Sequence, residues 1–235
     1  NDSSRIWVGT GENVAGRHVG IGHGIYLSKD SGSTWDDMGL KKSEHISKII
    51  VHPDNSNIIW VASQGPLWNS GGDRGLFMST DGGNSWSNKL YVNEWTGVTD
   101  IIIDPTNPDI LYAATWQRHR NVASLIDGGP GTSIYKSIDG GNTWNEIDSG
   151  LPSSNMGKIG LAISPMKPEV IYAAIELDRR SGAVFRSDNS GGVWKKMSNT
   201  VAGATGPHYY QELYASPHVF DLSLIHISEP TRLRS

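Results

Sequence analysis

The sequence predicts an all-β fold, an incomplete β-propeller whose blades are four-stranded antiparallel sheets. Three observations carry that expectation. A box of the form S-x-D-x-G-x-T-W occurs four times without gaps, beginning at Ser28, Ser79, Ser137 and Ser187. Between boxes a second element recurs: an apolar run closed by proline, then an aromatic-bearing run, as in Ile49 to Ala62, Ile101 to Ala114 and Leu161 to Ala174. The chain also has 28 Gly and nine Trp against three Phe, a composition of tight turns and large flat side chains. Four strands in a repeating unit of 50 to 60 residues make a propeller blade.

Each unit reads in order. An apolar strand ends at the proline turn, and a second follows directly, such as Ile58 to Ala62. A loop leads to a third, such as Leu76 to Ser79, and the box turns the chain into a fourth near Trp86. β-Branched and aromatic residues fill the strands, while Gly, Asn, Asp and Pro fill the turns. This places a partial blade over 6–40, blades over 45–90, 97–148 and 157–198, and the start of another over 207–221, where Tyr214-Ala-Ser-Pro217 repeats the register.

The box residues are expected to be structural. The members are Ser28, Asp30, Gly32 and Trp35; Ser79, Asp81, Gly83 and Trp86; Ser137, Asp139, Gly141 and Trp144; and Ser187, Asn189, Gly191 and Trp194. The aspartates can accept backbone N–H bonds across the hairpin turn, and the glycines can take positive φ. Each Trp offers a face to bury against its own blade. The fourth box has drifted, with Asn189 for Asp and Val193 for Thr.

These boxes resemble those of the Asp-box (BNR-repeat) superfamily, which includes sialidases, xyloglucan-active glycosidases and the Vps10 domain of sortilins. Gly72-Asp-Arg-Gly75, Ile126-Asp-Gly-Gly-Pro130 and Tyr209-Tyr-Gln-Glu212 are similar to phrases of bacterial Vps10-like "glycosyl hydrolase" propellers. The resemblance runs over roughly residues 5 to 221. It implies a secreted or cell-envelope protein whose boxes lie away from the active site. Its members include both enzymes and receptors, so it speaks for fold rather than activity.

Function is expected where the repeat does not dictate the residues. From proline to the next box the spacing is 26 (53 to 79), 32 (105 to 137) and 22 (165 to 187) residues, and from box to proline 25, 26 and 28. The greater variation falls between second and third strands, on the face opposite the boxes. Variable loops on a rigid scaffold are where binding usually lives. That face holds 9–24, 64–75, 116–132 and 176–183, and the lead-in loops 40–45, 93–97, 150–157 and 205–212. On it, Glu12, Glu44, Glu94 and Glu212 are the candidate catalytic carboxylates for glycoside cleavage. Trp68, Trp95 and Trp116 with Tyr209 and Tyr210 offer rings for sugar stacking. Arg74, Arg118 and Arg120, like Arg179, can hold a carboxylate or pair between blades. No sialidase-like Arg-Ile-Pro element accompanies them.

The leading expectation is a ligand-binding propeller portion of a larger protein, taking a glycan or a protein or peptide through this face. The alternatives are a glycoside hydrolase acting there and a structural scaffold. A net charge of −4 gives no reason to expect nucleic acid. No apolar run approaches the roughly 20 residues of a membrane helix, so no membrane insertion is expected in this segment. With no cysteine and no His/Asp/Glu spacing of a metal site, no cofactor or metal is expected. Ile6-Trp-Val-Gly9 matches a second strand, so the chain reads as starting inside a blade, with the remaining blades of the parent as partners. Leu222 to Ser235 breaks the register and reads as translated sequencing adaptor.

Overall fold

The computed structural model describes residues 3–178, 181–201, 213–218, 220 and 223–225, and every regular element among them is a strand. The first blade has β1 (Ile6–Gly9), β2 (Ile25–Ser28) and β3 (Asp36–Asp37), paired in that order. The second is β4 (Ile46–Val51), β5 (Ile59–Ser63), β6 (Gly75–Ser79) and β7 (Ser87–Leu90). In the third, β8 (Thr96–Ile103) pairs with the long β9 (Leu111–Arg120). The far edge of β9 carries β10 (Leu125–Asp127) at one end and β11 (Ile134–Ser137), then β12 (Asn145–Glu146), at the other. The fourth is β13 (Ile159–Ile163), β14 (Ile171–Asp178), β15 (Ser181–Ser187) and β16 (Lys195–Val201). A last pair joins β17 (Leu213–Ala215) to β18 (Ser223–Ile225), the latter within the stretch whose sequence breaks the repeat. All ladders are antiparallel, as in a meander of propeller blades.

The box works through its Ser and Asp together. In the second blade, Ser79 Oγ donates to Asp81 Oδ1 and accepts from the Gly83 amide. Asp81 Oδ1 accepts the Ser85 amide at 2.9 Å, and Oδ2 accepts its hydroxyl at 2.6 Å. Asp30 and Asp139 repeat the pattern with Thr34 and Thr143. These donors hold all three exposed carboxyls down to about 2. The drifted box keeps the frame without the charge, since Asn189 Oδ1 still accepts the Val193 amide at 2.9 Å. In each blade the box turn also donates an amide to the proline-turn side, as Gly82 does to Asn57 O and Gly140 to Asp109 O.

The box is also the contact between blades. A Cβ on Gly83 would lie 2.5 Å from the Trp7 ring, and one on Gly141 2.5 Å from Trp60 Nε1. Both glycines have positive φ, 90° and 85°. Each presses against the second-strand aromatic of the preceding blade. Trp60 Nε1 then donates to Gly140 O at 3.2 Å, and Tyr112 OH to Ser190 O at 3.4 Å. The box Trp fills the same seam: Trp86 donates to Met38 O and stands edge-on to Trp7, and Trp194 donates to Ile147 O. This corrects the expectation that each Trp buries against its own blade. Trp194 is 2% exposed, whereas Trp35, with no blade before it among the described residues, is 42% exposed, and Ile6 and Val8 of the same blade are exposed as well.

Two of the loops expected from sequence are partly hairpins. β9 runs on to Arg120 and folds back as β10 through Asn121, whose side-chain oxygen accepts the Ala123 and Ser124 amides. β14 likewise runs to Asp178 and returns directly as β15. Nearest the propeller axis, the first strands carry irregularities that drop Ser47 and Thr99 from their ladders. Lys48 pairs with Asp100 at 2.6 Å, and the other Asp100 oxygen accepts the Leu161 amide at 2.7 Å, tying three first strands together.

Two outcomes follow. Gly141→Ala forces strain at positive φ plus a clash with Trp60, whereas Gly32→Ala meets no atom closer than 3.8 Å. Gly141→Ala is expected to destabilise by about 1–3 kcal/mol more than Gly32→Ala in denaturant titration. The box aspartates ionise more easily folded than unfolded, so their stabilisation is complete above the ordinary carboxylate range and fades as pH falls toward 2. Asp81→Asn, imitating Asn189, should flatten the fall in melting temperature measured from pH 5 to pH 2.

Candidate functional site

The face opposite the boxes is organised by one segment, residues 10–24 between β1 and β2, which reaches over the other blades as a strap. Its three successive carbonyls at Asn13, Val14 and Ala15 are each taken by a buried cation. Lys158 Nζ donates to Asn13 O at 2.5 Å, Arg118 Nη1 to Val14 O at 2.8 Å, and Arg120 Nη2 to Ala15 O at 2.8 Å. Gln64 Nε2 bonds the Asn13 side chain, and the Gly22 amide donates to Glu44 O. Beneath, Ala15 and Val19 pack with Leu67 and Trp116, while Trp68 and Leu125 flank the cluster. Trp116 is 1% exposed and lies under both Arg118 and Lys158, 5.1 and 5.5 Å from its centroid.

The strap walls a cleft of about 580 Å³ between the third and fourth blades. Its polar lining includes Arg17 from the strap, Arg120 and Asp127 from β9 and β10, and Glu176 and Asp178 from β14, with Ser124 and Asn155 at its margins. The strands explain the convergence. Asp127 lies directly across the ladder from Arg118. Tyr112, Trp116, Arg118 and Arg120 share one parity of β9, as Tyr172 and Glu176 do on β14. Glu176 is 3% exposed, and its Oε2 accepts the Lys158 amide at 3.3 Å. It fits only because residue 157 is glycine, since a Cβ there would stand 2.5 Å from that oxygen.

Burial pushes the Asp127 carboxyl up to about 6, against the pull of the Arg118, Lys158 and Arg120 charges. Burial pushes Glu176 further, to about 8, and the negative charges of Asp127 and Asp178 add to it, while Lys158 opposes. Both carboxyls therefore hold a proton more firmly than an exposed carboxyl does, Glu176 the more so. His45 is also buried, and burial with the Arg118 and Arg74 charges pushes it down to about 3, so it is neutral.

The residues expected from sequence divide between this cleft and its support. Arg120 reaches the cleft. Arg74 and Arg118 lie beneath the surface with their donors on main-chain carbonyls: Arg74 on Gln64, Pro66, Asn69, Gly71 and Trp95, and Arg118 on Val14 and Gly65. Trp95 is half-buried, edge-on to His119 at 4.3 Å. Glu12 is exposed and accepts the Gly20 amide within the strap, beside an open hollow lined by Ile21 and Tyr26. Glu44, at φ 55°, and the exposed Glu94 both act on the charge of Arg74. Tyr209, Tyr210 and Glu212, with Arg179, lie outside the described residues. Neither Asp127 nor Glu176 is among the carboxylates that the sequence singles out, although Glu176 opens the variable segment 176–183. The signal for Glu176 was its register, since it stands four residues after Tyr172, as Gln64 follows Trp60 and Trp116 follows Tyr112. Among the described residues, no three His, Asp or Glu side chains converge as a metal set, and no helix is long and apolar enough to cross a membrane.

No family model matches the chain. It is similar to a xyloglucanase from a Paenibacillus species, 23% identical over 91% of this chain, and to one from Hypocrea jecorina, 26% identical over 74%. The chain spans about a quarter of the length of these relatives, 24% and 23%. Among solved structures, the GH74 xyloglucanase from Xanthomonas campestris superposes with a TM-score of 0.67 at 17% identity, covering 95% of this chain and 34% of that one. A GH74 enzyme from Niastella koreensis does so at 0.65 and 16%, over 92% and 32%. These likenesses establish the propeller fold.

Arg118 is the strap's deepest anchor, and its loss strands the Val14 and Gly65 carbonyls. Arg118→Met is expected to cost about 2–4 kcal/mol in denaturant titration. Exposed Glu94→Gln should stay within about 0.5 kcal/mol of the parent.

Proposed function

We propose that this chain is one arc of a glycan-processing propeller, a glycoside hydrolase rather than a receptor, whose loop-face cleft holds a plant-type polysaccharide. The observation that supports this reading is the cleft itself. Guanidinium groups of Arg17 and Arg120 face carboxyls of Asp127, Glu176 and Asp178 across a space of about 580 Å³ on the face opposite the boxes. Such mixed charge binds sugar hydroxyls by charge-assisted bonds. The half-buried Trp68 and Trp95 rings on the same face would extend it by stacking. The two curated relatives are both named as xyloglucanases, which favours hydrolysis of a neutral, branched glucan over binding alone. Secretion follows from that reading, because such polymers lie outside cells.

The test is turnover of xyloglucan, arabinan and other plant glycans by the intact protein that carries this chain, followed by release of reducing ends. Arg17 is exposed, and its bond to Val122 O at 3.4 Å is weak, so Arg17→Ala should leave the fold intact. We expect KM for the accepted glycan to rise roughly 10-fold with kcat little changed, the effect of losing one charged hydrogen bond made equally in ground and transition states. Glycan binding without turnover would restore the receptor reading. Neither binding nor turnover would leave a scaffold.

A further inference from the structure

Resting on the hydrolase reading above, we propose that Glu176 and Asp127 are the acid and the base of the cleft, acting on a glycosidic bond seated between β10 and the end of β14. The geometry separates their roles. Glu176 is the deeper of the two, tucked under Gly157 at the end of a buried strand, with the like charges of Asp127 and Asp178 beside it. These surroundings keep its proton in place. Asp127 stands opposite Arg118 in the ladder, and the charges of Lys158 and Arg120 reach it too, so it is the first of the pair to ionise. Two carboxyls whose surroundings drive their proton affinities apart are what acid–base assignment requires.

The step balances with water as the only co-reactant. The Glu176 O–H gives its proton to the bridging oxygen as the bond from that oxygen to the anomeric carbon breaks. The Asp127 carboxylate takes a proton from a water whose oxygen forms the new bond to that carbon. The proton then passes from Asp127 back to Glu176 through solvent in the cleft. The products are two saccharides with free hydroxyl groups, and nothing is oxidised or reduced.

The cations that keep Asp127 ionised are the same three that hold the strap. This explains why so many charges are gathered under one segment. A carboxyl pair serving stability alone has no need to face a cleft of this volume, and an exposed pair could not hold a proton at neutral pH.

The experiment compares two substrates on the intact protein: the natural glycan, and an aryl glycoside of the same sugar with a 2,4-dinitrophenyl leaving group, which departs without a proton. Glu176→Gln is expected to lower kcat on the glycan by roughly 10²- to 10⁴-fold and far less on the aryl glycoside. The ratio of the two losses, read on one sample, is independent of how much of the variant is folded. Asp127→Asn should lower both, with sodium azide restoring turnover as a glycosyl azide. The wild-type pH profile should be bell-shaped, its acid limb from Asp127 and its alkaline limb from Glu176. Arg118, Arg120, Lys158 and Asp178 are the charged groups that set both limbs. The alkaline limb should vanish in Glu176→Gln.

Equal losses on both substrates for Glu176→Gln, or losses under 3-fold for both variants while wild type turns over its glycan, would overturn the assignment and leave the hydrolase reading standing. A wild-type protein that cleaves neither glycan nor aryl glycoside would sink the hydrolase reading and the assignment together.

Discussion

The interaction on which the architecture depends is the seam between blades, where a positive-φ glycine of one box presses against an aromatic ring of the blade before it. Gly83 on Trp7 and Gly141 on Trp60 are the same contact made twice, and Gly191 beside Ile147 and Tyr112 is its third version. A hydrogen bond from the ring to the box carbonyl fixes the approach from the other side in two of them, through Trp60 and Tyr112. The contact is close because glycine carries no Cβ, and it is rigid because Ser and Asp have already locked the box turn. The box is thus a hairpin brace and an inter-blade spacer at once. With the spacing set, the opposite ends of the same strands arrive at a fixed separation, and the loop face inherits its geometry.

That inheritance explains the strap. Residues 13–15 can present three consecutive carbonyls to three cations only if β9 and the start of β13 stand at a fixed distance from the first blade. Cations so deeply buried need hydrogen-bond acceptors, and main-chain carbonyls supply them to both terminal nitrogens of Arg118, to Arg120 and to Lys158 without adding charge. The carboxyls then feel an excess of positive charge on the Asp127 side and an excess of negative charge on the Glu176 side. The asymmetry of the pair is a consequence of where the strap is fastened.

The sequence made the repeat legible because the box and the proline turn are local: their hydrogen bonds span two to four residues, so pattern and structure coincide in Ser79, Asp81 and Ser85. The destination of the box Trp was not legible, because its partner lies a blade away; Trp86 donates to a carbonyl 48 residues earlier. The variable loops lie where repeat spacing fails, but strand parity, not position in a loop, decides which of their residues are buried. Arg118 and Trp116 fall in a stretch that reads as loop yet continues β9, and alternation along that strand turns them under the strap. Glu12 and Glu94 stand on true loops and remain at the surface. Asp127 acquires its meaning only from the cross-strand pairing with Arg118, which no spacing in the chain announces.

The carboxyl pair is a place where these rules run against stability. A group whose affinity for protons is raised by folding stabilises the native state at low pH and ceases to do so as pH rises through its folded value; Glu176, pushed up to about 8, therefore disfavours the fold in its ionised form. Gln64 occupies the same register in the second blade and Trp116 in the third, and both are buried without burying an anion. The scaffold therefore accommodates a neutral residue at this position in the other three blades, Gly11 standing there in the first. Only the fourth places a carboxyl there, and only beside it does the third blade's hairpin bring a second one, Asp127, across from Arg118. The departure of the repeat from its own neutral solution at the wall of its polar cleft is what singles this seam out for the proposed acid–base role.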